Sequence, residues 1–491
     1  MPKASPSFVA ASLLMVISIR SAAAQPRQSH ARDEVVERIV GAALSRRGAI
    51  SFLETLTDTI GGRVTGSPES QATSELLLRT LREGGFANAR IEEYSIASGW
   101  KRGPANGWVA SPVKRPLHIG SYGWAPGTSG KVEAPLATAA ATGDGKLSAS
   151  LQSLRGAAVL VSLESGTDLS LAPNYVVMRS RTARQLAAAG AIAMLIPSEK
   201  PDRMLYTSAA GLYPRAPLPM LSVAKEDAMF LRRLSARGEV KIVLDVQNTF
   251  DAGPASERNV IADLVGTDPR AVVLLGAHFD SWDPAQGAGD NGSGVAAVLE
   301  AARILKSLGV TPRATLRFAF FSGEEQACLG SRAYVDAHVQ ELDHLWAAVI
   351  MDSEPQAPLG FTLHGRDDLV DSMKERLAAL AGLGAGSVET GGDLTSDDQT
   401  FVVQGIPAVS LKVADSDSDV RHHTIVDTFD KIDPRWLSLD TAALALAAWS
   451  LASADQPPGP RLSPREVERL LKKTRQAEYV ELDYRRLPRM P

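Results

Sequence analysis

Cysteine is almost absent: Cys328 is the only one among 491 residues. A single thiol excludes an intramolecular disulfide framework and any metal cluster built on cysteine. A bound metal therefore falls to His, Asp and Glu. A charge excess is missing as well, since 52 Lys and Arg stand against 56 Asp and Glu and no long run of one sign occurs. That balance argues against a nucleic-acid partner or a polybasic membrane dock. Beyond the N-terminus no stretch of about 18 uncharged apolar residues occurs, so no spanning segment is expected there. What is present is a globular composition, 44% hydrophobic and 22% charged, over a length that suggests about three structural units.

The N-terminus carries Lys3, an apolar run from Phe8 to Ser18, Arg20, and then Ala22-Ala23-Ala24. This is the layout of a cleaved export signal over residues 1–24, with Gln25 as the mature start. Arg20 interrupts the run too early for a membrane anchor. Cleavage removes two positive charges from a net −4, leaving −6. The expectation is a secreted or periplasmic protein with no membrane association after signal removal.

Residues 25–112 read as the N-terminal part of a split domain, with a three-to-four-residue helical pattern from Asp33 to Phe86 broken at Gly61-Gly62 and Gly66-Ser67-Pro68. Residues 113–254 read as an insert of short strands, including Ala157–Val161, Ala191–Ile196 and Val240–Val246, with one clear helix over Arg181–Gly190. Residues 255–454 alternate strands with longer helices, which predicts an α/β architecture with a mostly parallel sheet covered on both faces. Residues 455–491 form a polar, proline-rich tail with an amphipathic stretch from Glu466 to Arg475, read as an appended helix or arm.

The chemistry-bearing residues stand at the ends of strands in the third block. Val272–Ala277 is a continuous apolar run that delivers His278 and, two residues on, Asp280. A neutral imidazole ligates zinc well, and a nearby carboxylate can fix its tautomer. Gly287-Ala288-Gly289-Asp290-Asn291-Gly292-Ser293-Gly294 is a tight turn that opens an amphipathic helix and presents Asp290. It lacks the lysine of a nucleotide-phosphate loop. Thr315–Ser322 ends at Gly323-Glu324-Glu325, two adjacent carboxylates that repel unless cations offset them. Ala347–Met351 ends at Asp352, and His422-His423 lies in a polar loop. Ligand crevices of open α/β sheets lie outside the carboxyl ends of the strands. His278, Asp290, Glu325, Asp352 and a histidine of the last pair, taken as His423, suffice for two divalent ions if one carboxylate bridges. Glu324, outside that ligand set, is left free to act as general base.

Taken together, these five ordered motifs between about Asn259 and Thr428 resemble the co-catalytic zinc aminopeptidases of the MH clan. The resemblance implies a three-layer αβα zinc-exopeptidase fold holding two Zn2+ per chain, with Mn2+ or Co2+ as alternatives. It makes His278 a zinc ligand and Asp280 its orienting carboxylate. Asp290 becomes the bridging ligand, Glu324 the catalytic base, and Glu325 and Asp352 ligands of opposite metals. Its closing pattern His-Thr-x-x-Asp-Thr selects His423 over His422. The insert resembles a protease-associated domain. Gly61 to Pro68 and Gly99-Trp100-Lys101-Arg102-Gly103-Pro104 resemble the carboxypeptidase Q branch, which implies short peptides or dipeptides as substrates and a homodimer as the assembly. One motif departs from many relatives: Ser396-Asp397-Asp398 stands where they carry Ser-Asp-His. A carboxypeptidase of the same fold, a single-zinc glutaminyl cyclase relative and a catalytically silent receptor-like homologue are the alternatives. Cys328, just past Glu325, is expected to be buried packing.

Overall fold

The computed structural model describes residues 26–481 apart from 149, 164–171, 212–213 and 416–417. The expected signal over residues 1–24 and the last ten residues lie outside the described ones. Two eight-stranded sheets organise the chain. The first runs, edge to edge, through Ala87–Ile96, Ala255–Leu264, Ala314–Phe321, Asp268–His278, Leu345–Ile350, Ala408–Val413, Pro358–Thr362 and Ser387–Glu389. Its four central strands are mutually parallel, while Ala87–Ile96 and Ala255–Leu264 add antiparallel at one side. The sheet is therefore mixed around a parallel centre, the α/β class expected from the alternation of strands and helices.

The apolar run that ends at His278 shows why this centre is buried on both faces. Val273, Leu275 and Ala277 point into one hydrophobic cluster, and Leu274 points into the other. Each such side chain contributes about 1.5–3 kcal/mol on burial. One face is covered by helices Gly48–Thr59, Ser293–Ser307 and Pro434–Ala452. The opposite cluster takes in Tyr334 and Val335 of helix Leu329–Ala337, Phe401 of Asp398–Val403 and Val467 of Pro464–Lys473. Local signals fix the helix ends: Ser67 caps Pro68–Glu83 by accepting the N–H of Ser70 at 3.1 Å. The amphipathic stretch of the tail is the helix Pro464–Lys473, opened by a capping box between Ser463 and Glu466.

From the strand ending at His278 the chain crosses through Ser293–Ser307 to one neighbour, Ala314–Phe321. It then returns through Leu329–Ala337 to the other neighbour, Leu345–Ile350. The two crossovers lie on opposite faces, which opens a crevice at the carboxyl ends of these strands.

The second sheet holds Arg115–Leu117, Ala105–Ser111, Lys241–Val246, Val132–Ala141, Ala158–Leu163, Ala193–Pro197, Met220–Val223 and Ile119–Ser121, in that spatial order. It starts at Ala105, earlier than position 113, because Ala105–Ser111 pairs with Lys241–Val246. It also carries two helices where the sequence reading places one. Ala172–Ala189 begins nine residues before Arg181, and Lys225–Ser235 is amphipathic with Ala228 and Leu231 buried. The short length of the second helix and its five charged residues hide its apolar stripe in a linear reading.

Candidate metal centre

Three strand ends and two loops converge at the crevice. Gly323 turns the chain after Ala314–Phe321 with φ 75°, which presents Glu324 and Glu325 side by side. Gly287, at φ 60°, starts the loop that carries Asp290, and a Cβ there would lie 2.3 Å from the Ser281 hydroxyl. Only glycine fits that position without displacing its neighbours.

The loops are tied to one another by buried polar groups. Arg63 is fully buried, and its guanidinium donates to four carbonyls: Phe279 at 2.6 Å, and Gly61, Gln286 and Gly287 each at 2.7 Å. Burial lowers its pKa to about 10, still a cation at neutral pH. The Asp427 carboxylate accepts the N–H of Gly289 at 2.6 Å and of Asp290 at 3.2 Å. The Asp280 carboxylate accepts the N–H groups of Glu324 and Glu325 at 3.2 and 3.3 Å and the Thr65 hydroxyl at 2.8 Å. His278 Nδ1 lies 3.1 Å from the Asp280 backbone carbonyl and 3.5 Å from its carboxylate. The carboxylate thus steadies the Glu324-Glu325 turn, while the main chain of the same residue is nearer to the imidazole.

Asp290 lies between the two histidines. Its Oδ1 is 3.4 Å from His278 Nε2, and its Oδ2 is 3.0 Å from His423 Nε2. Asp352 approaches His278 Nε2 at 3.3 Å, and Glu325 approaches His423 Nε2 at 3.2 Å. The five residues singled out from the sequence as ligands therefore meet as two half-sites that share Asp290. Glu324 Oε2 stands 3.9 Å from His278 Nε2, at the side of the first half-site. His422 stacks on His423 with ring centroids 3.8 Å apart, and its Nε2 is 3.6 Å from Asp290 Oδ2. Its side chain is 47% exposed against 11% for His423.

The electrostatics mark a cluster assembled for cations. Burial, with Asp352, Glu325 and Asp397 nearby, pushes Glu324 well above the usual carboxyl range against the pull of His278. Burial likewise raises Glu325 to about 7, with Asp290 adding to the rise and His423 opposing it. Burial also works against ionised Asp290, yet the hydrogen bonds from both histidines outweigh it and hold Asp290 well below the ordinary range. Both imidazoles are desolvated, and the surrounding carboxylates nonetheless raise them well above 6.5. Glu325 Oε1 and His423 Nδ1 are buried without a hydrogen-bond partner among the described residues. Two overlapping sets, His278 with Asp290 and Asp352, and Asp290 with His422 and His423, have donor atoms close enough to share an ion. The donors are the imidazole and carboxylate groups that zinc accepts.

Several residues of this centre carry no motif. Trp282 donates its indole N–H to Glu325 at 2.5 Å. Tyr206, from the second sheet's block, stacks on His423 at 5.4 Å, and Thr207 donates its N–H to the His423 carbonyl at 3.0 Å. A tryptophan four residues past His278 is a weak local signal, whereas nothing local marks Tyr206. Asp397 is fully buried, and burial raises it to about 7 against the pull of His278 and a hydrogen bond from Ser331. Asp398 accepts from Ser410 at 2.8 Å and faces His364 at 3.3 Å, so a histidine from another strand end stands beside the departing motif. Cys328 is buried, with Sγ 3.9 Å from Glu324 Oε1.

A parallel-centred α/β sheet thus carries a histidine–carboxylate cluster at its switch point. Residues 259–449 match the model of peptidase family M28. Over 429 residues the chain is 30% identical to the probable lipoprotein aminopeptidase LpqL of Mycobacterium tuberculosis, covering 79% of this chain and 80% of that protein. It is 29% identical over 413 residues to carboxypeptidase Q of Mus musculus, covering 82% and 85%. A solved structure, a peptidase M28 precursor from Shewanella amazonensis, superposes with a TM-score of 0.77 at 27% identity, covering 88% of this chain and 99% of that one. The chain belongs to peptidase family M28, and it is a metallopeptidase.

Proposed function

We propose that this protein is an exported exopeptidase that uses two zinc ions to hydrolyse short peptides from a free amino end. The observation that carries the reading is Asp290, whose two oxygens face two separate histidines, each with its own second carboxylate. In this reading His278, Asp352, His423 and Glu325, together with Asp290, would hold the ions. Bound zinc supplies a polarised carbonyl and a water of lowered pKa. Export is supported by the N-terminal pattern of Lys3, an apolar run and Ala22-Ala23-Ala24. Among the described residues no helix is long and apolar enough to cross a membrane.

Glu324 is the general base. Its carboxylate takes a proton from the attacking water as the water oxygen bonds to the scissile carbonyl carbon. It then delivers that proton to the departing amine as the C–N bond breaks. Its place 3.9 Å from His278 keeps it beside the ligands without joining them. Asp280 keeps Glu324 and Glu325 in register through their backbone N–H groups. Tyr206 and Trp282 wall off the His423 side from water.

Hydrolysis of a free dipeptide and of its amino-blocked form, each with and without a chelator, tests the proposal. Cleavage of the free dipeptide alone, abolished by chelation and restored by zinc, is expected. Cleavage of the blocked form at a similar rate would instead make the protein a carboxypeptidase, and chelator-resistant cleavage would remove the metals from the reaction.

A further inference from the structure

Across the crevice from the metal centre, the second sheet and its helices supply the other wall of a cavity of about 760 Å³. The cavity reaches from Asp290, Glu324 and Glu325 to Arg179 on helix Ala172–Ala189. Arg179 is 2% exposed, and one nitrogen is satisfied: Nη2 donates to the Ser208 hydroxyl at 2.9 Å and the Ala209 carbonyl at 2.6 Å. Among the described residues its Nε and Nη1 meet no carboxylate or carbonyl, and the guanidinium interacts instead with the Tyr122 hydroxyl. The guanidinium rests against the rings of Tyr122 and Tyr175, 5.0 and 5.2 Å from their centroids. Tyr122 packs on Tyr206, which packs on His423. An aromatic wall thus runs without a break from the unpaired cation to the candidate ligands.

Of the other cations along the cavity, Arg215 is exposed and lies over the Phe250 ring at 4.4 Å, and the remaining two are ion-paired. Lys200 bonds the backbone and the carboxylate of Asp419, and Arg421 bonds Glu354 at 2.7 Å. A buried cation without a carboxylate partner costs free energy unless something charged completes it. Two adjacent N–H groups of a guanidinium form the fork that matches the two oxygens of a carboxylate.

We infer that Arg179 is the carboxylate receptor of this cleft, binding a carboxylate of the peptide whose scissile bond lies at the metal centre. This rests on the exopeptidase reading above and adds a specificity-determining residue contributed by the second sheet's block. The carboxylate is either the free C-terminus of a short peptide or an acidic side chain, and the two sources separate experimentally.

Three substrates with the same N-terminal residue distinguish them: a dipeptide with a free C-terminus, its C-terminal amide, and an amide whose second residue is aspartate. The zinc-loaded wild-type protein is expected to favour one of the two carboxylate-bearing peptides over the plain amide by about 10- to 100-fold in kcat/KM, chiefly through KM. Preference for the free dipeptide identifies the C-terminus, and preference for the aspartyl amide identifies the side chain. Arg179→Met should bring that preference close to one, and Arg179→Lys should restore part of it. Zinc content and melting temperature of both variants establish that the fold survives. Equal kcat/KM for all three substrates in the wild type would overturn the inference, as would a preference that persists in folded Arg179→Met. Failure to cleave any of the three would instead overturn the exopeptidase reading itself.

Discussion

At the scale of single residues, Glu324 and Glu257 show how burial sets a carboxyl to different ends. Glu324→Gln removes the proton acceptor and leaves the ligand atoms in place. Its kcat should fall by about 10²–10⁴-fold while bound zinc, measured by elemental analysis, stays at the wild-type level. Unchanged turnover would free Glu324 of the base role. Glu257 is fully buried and accepts from the Gly66 N–H and the Ser70 hydroxyl, and burial raises it to about 7. A raised carboxyl pKa means that the folded state favours the protonated form. The stability it confers is present below about 4.5 and is lost as pH rises through about 7. Urea unfolding should therefore show Glu257→Gln gaining on the wild type between pH 5 and pH 8, by on the order of 3 kcal/mol. A pH-independent difference would show that Glu257 ionises in the folded protein as it does in the unfolded chain.

Among structural elements, the loops after the strands decide the site, and Arg63 decides the loops. Its four carbonyl acceptors tie the turn at Gly61 to Phe279 and to the Gln286-Gly287 loop. Arg63→Met leaves those carbonyls buried and unpaired, so a loss of more than about 3 kcal/mol in chemical denaturation is expected, together with weaker zinc retention. A loss within about 0.5 kcal/mol would mean that the loops hold without it. This element also marks the limit of what the sequence discloses. His278, Glu324, Glu325 and Asp352 are legible because continuous apolar runs end at them, and Asp290 because a glycine-rich turn surrounds it. Arg63 sits between Gly62 and Val64 with no periodic pattern, and three of its four partners lie more than two hundred residues away. Tyr206 and Arg179 are hidden for the same reason, since they reach the cavity only once the second sheet stands over the first. The helix Lys225–Ser235 and the strand Ala105–Ser111 escape notice for a local reason. Each is short, and charge or glycine dilutes its apolar pattern.

For the whole molecule, the composition that excludes disulfides puts cross-bracing on packing and on the acidic centre. Glu324, Glu325, Asp290 and Asp352 crowd one buried crevice, and their repulsion is offset by protons or by cations. Ligands that bind only the folded state raise the melting temperature by mass action. Chelation should therefore lower the melting temperature by several degrees, and added zinc should restore it. An unchanged melting curve would place the metals outside the folded crevice. The second sheet's block belongs to the same account, because Tyr206 covers His423 and Arg179 stands at the far end of the wall that Tyr206 begins.

In the proposed centre Asp290 joins two half-sites into one dinuclear site. Counting zinc per chain by elemental analysis, after loading and removal of free metal, tests it most directly. Two ions per chain are expected in the wild-type protein. A saturating value of one would contradict it.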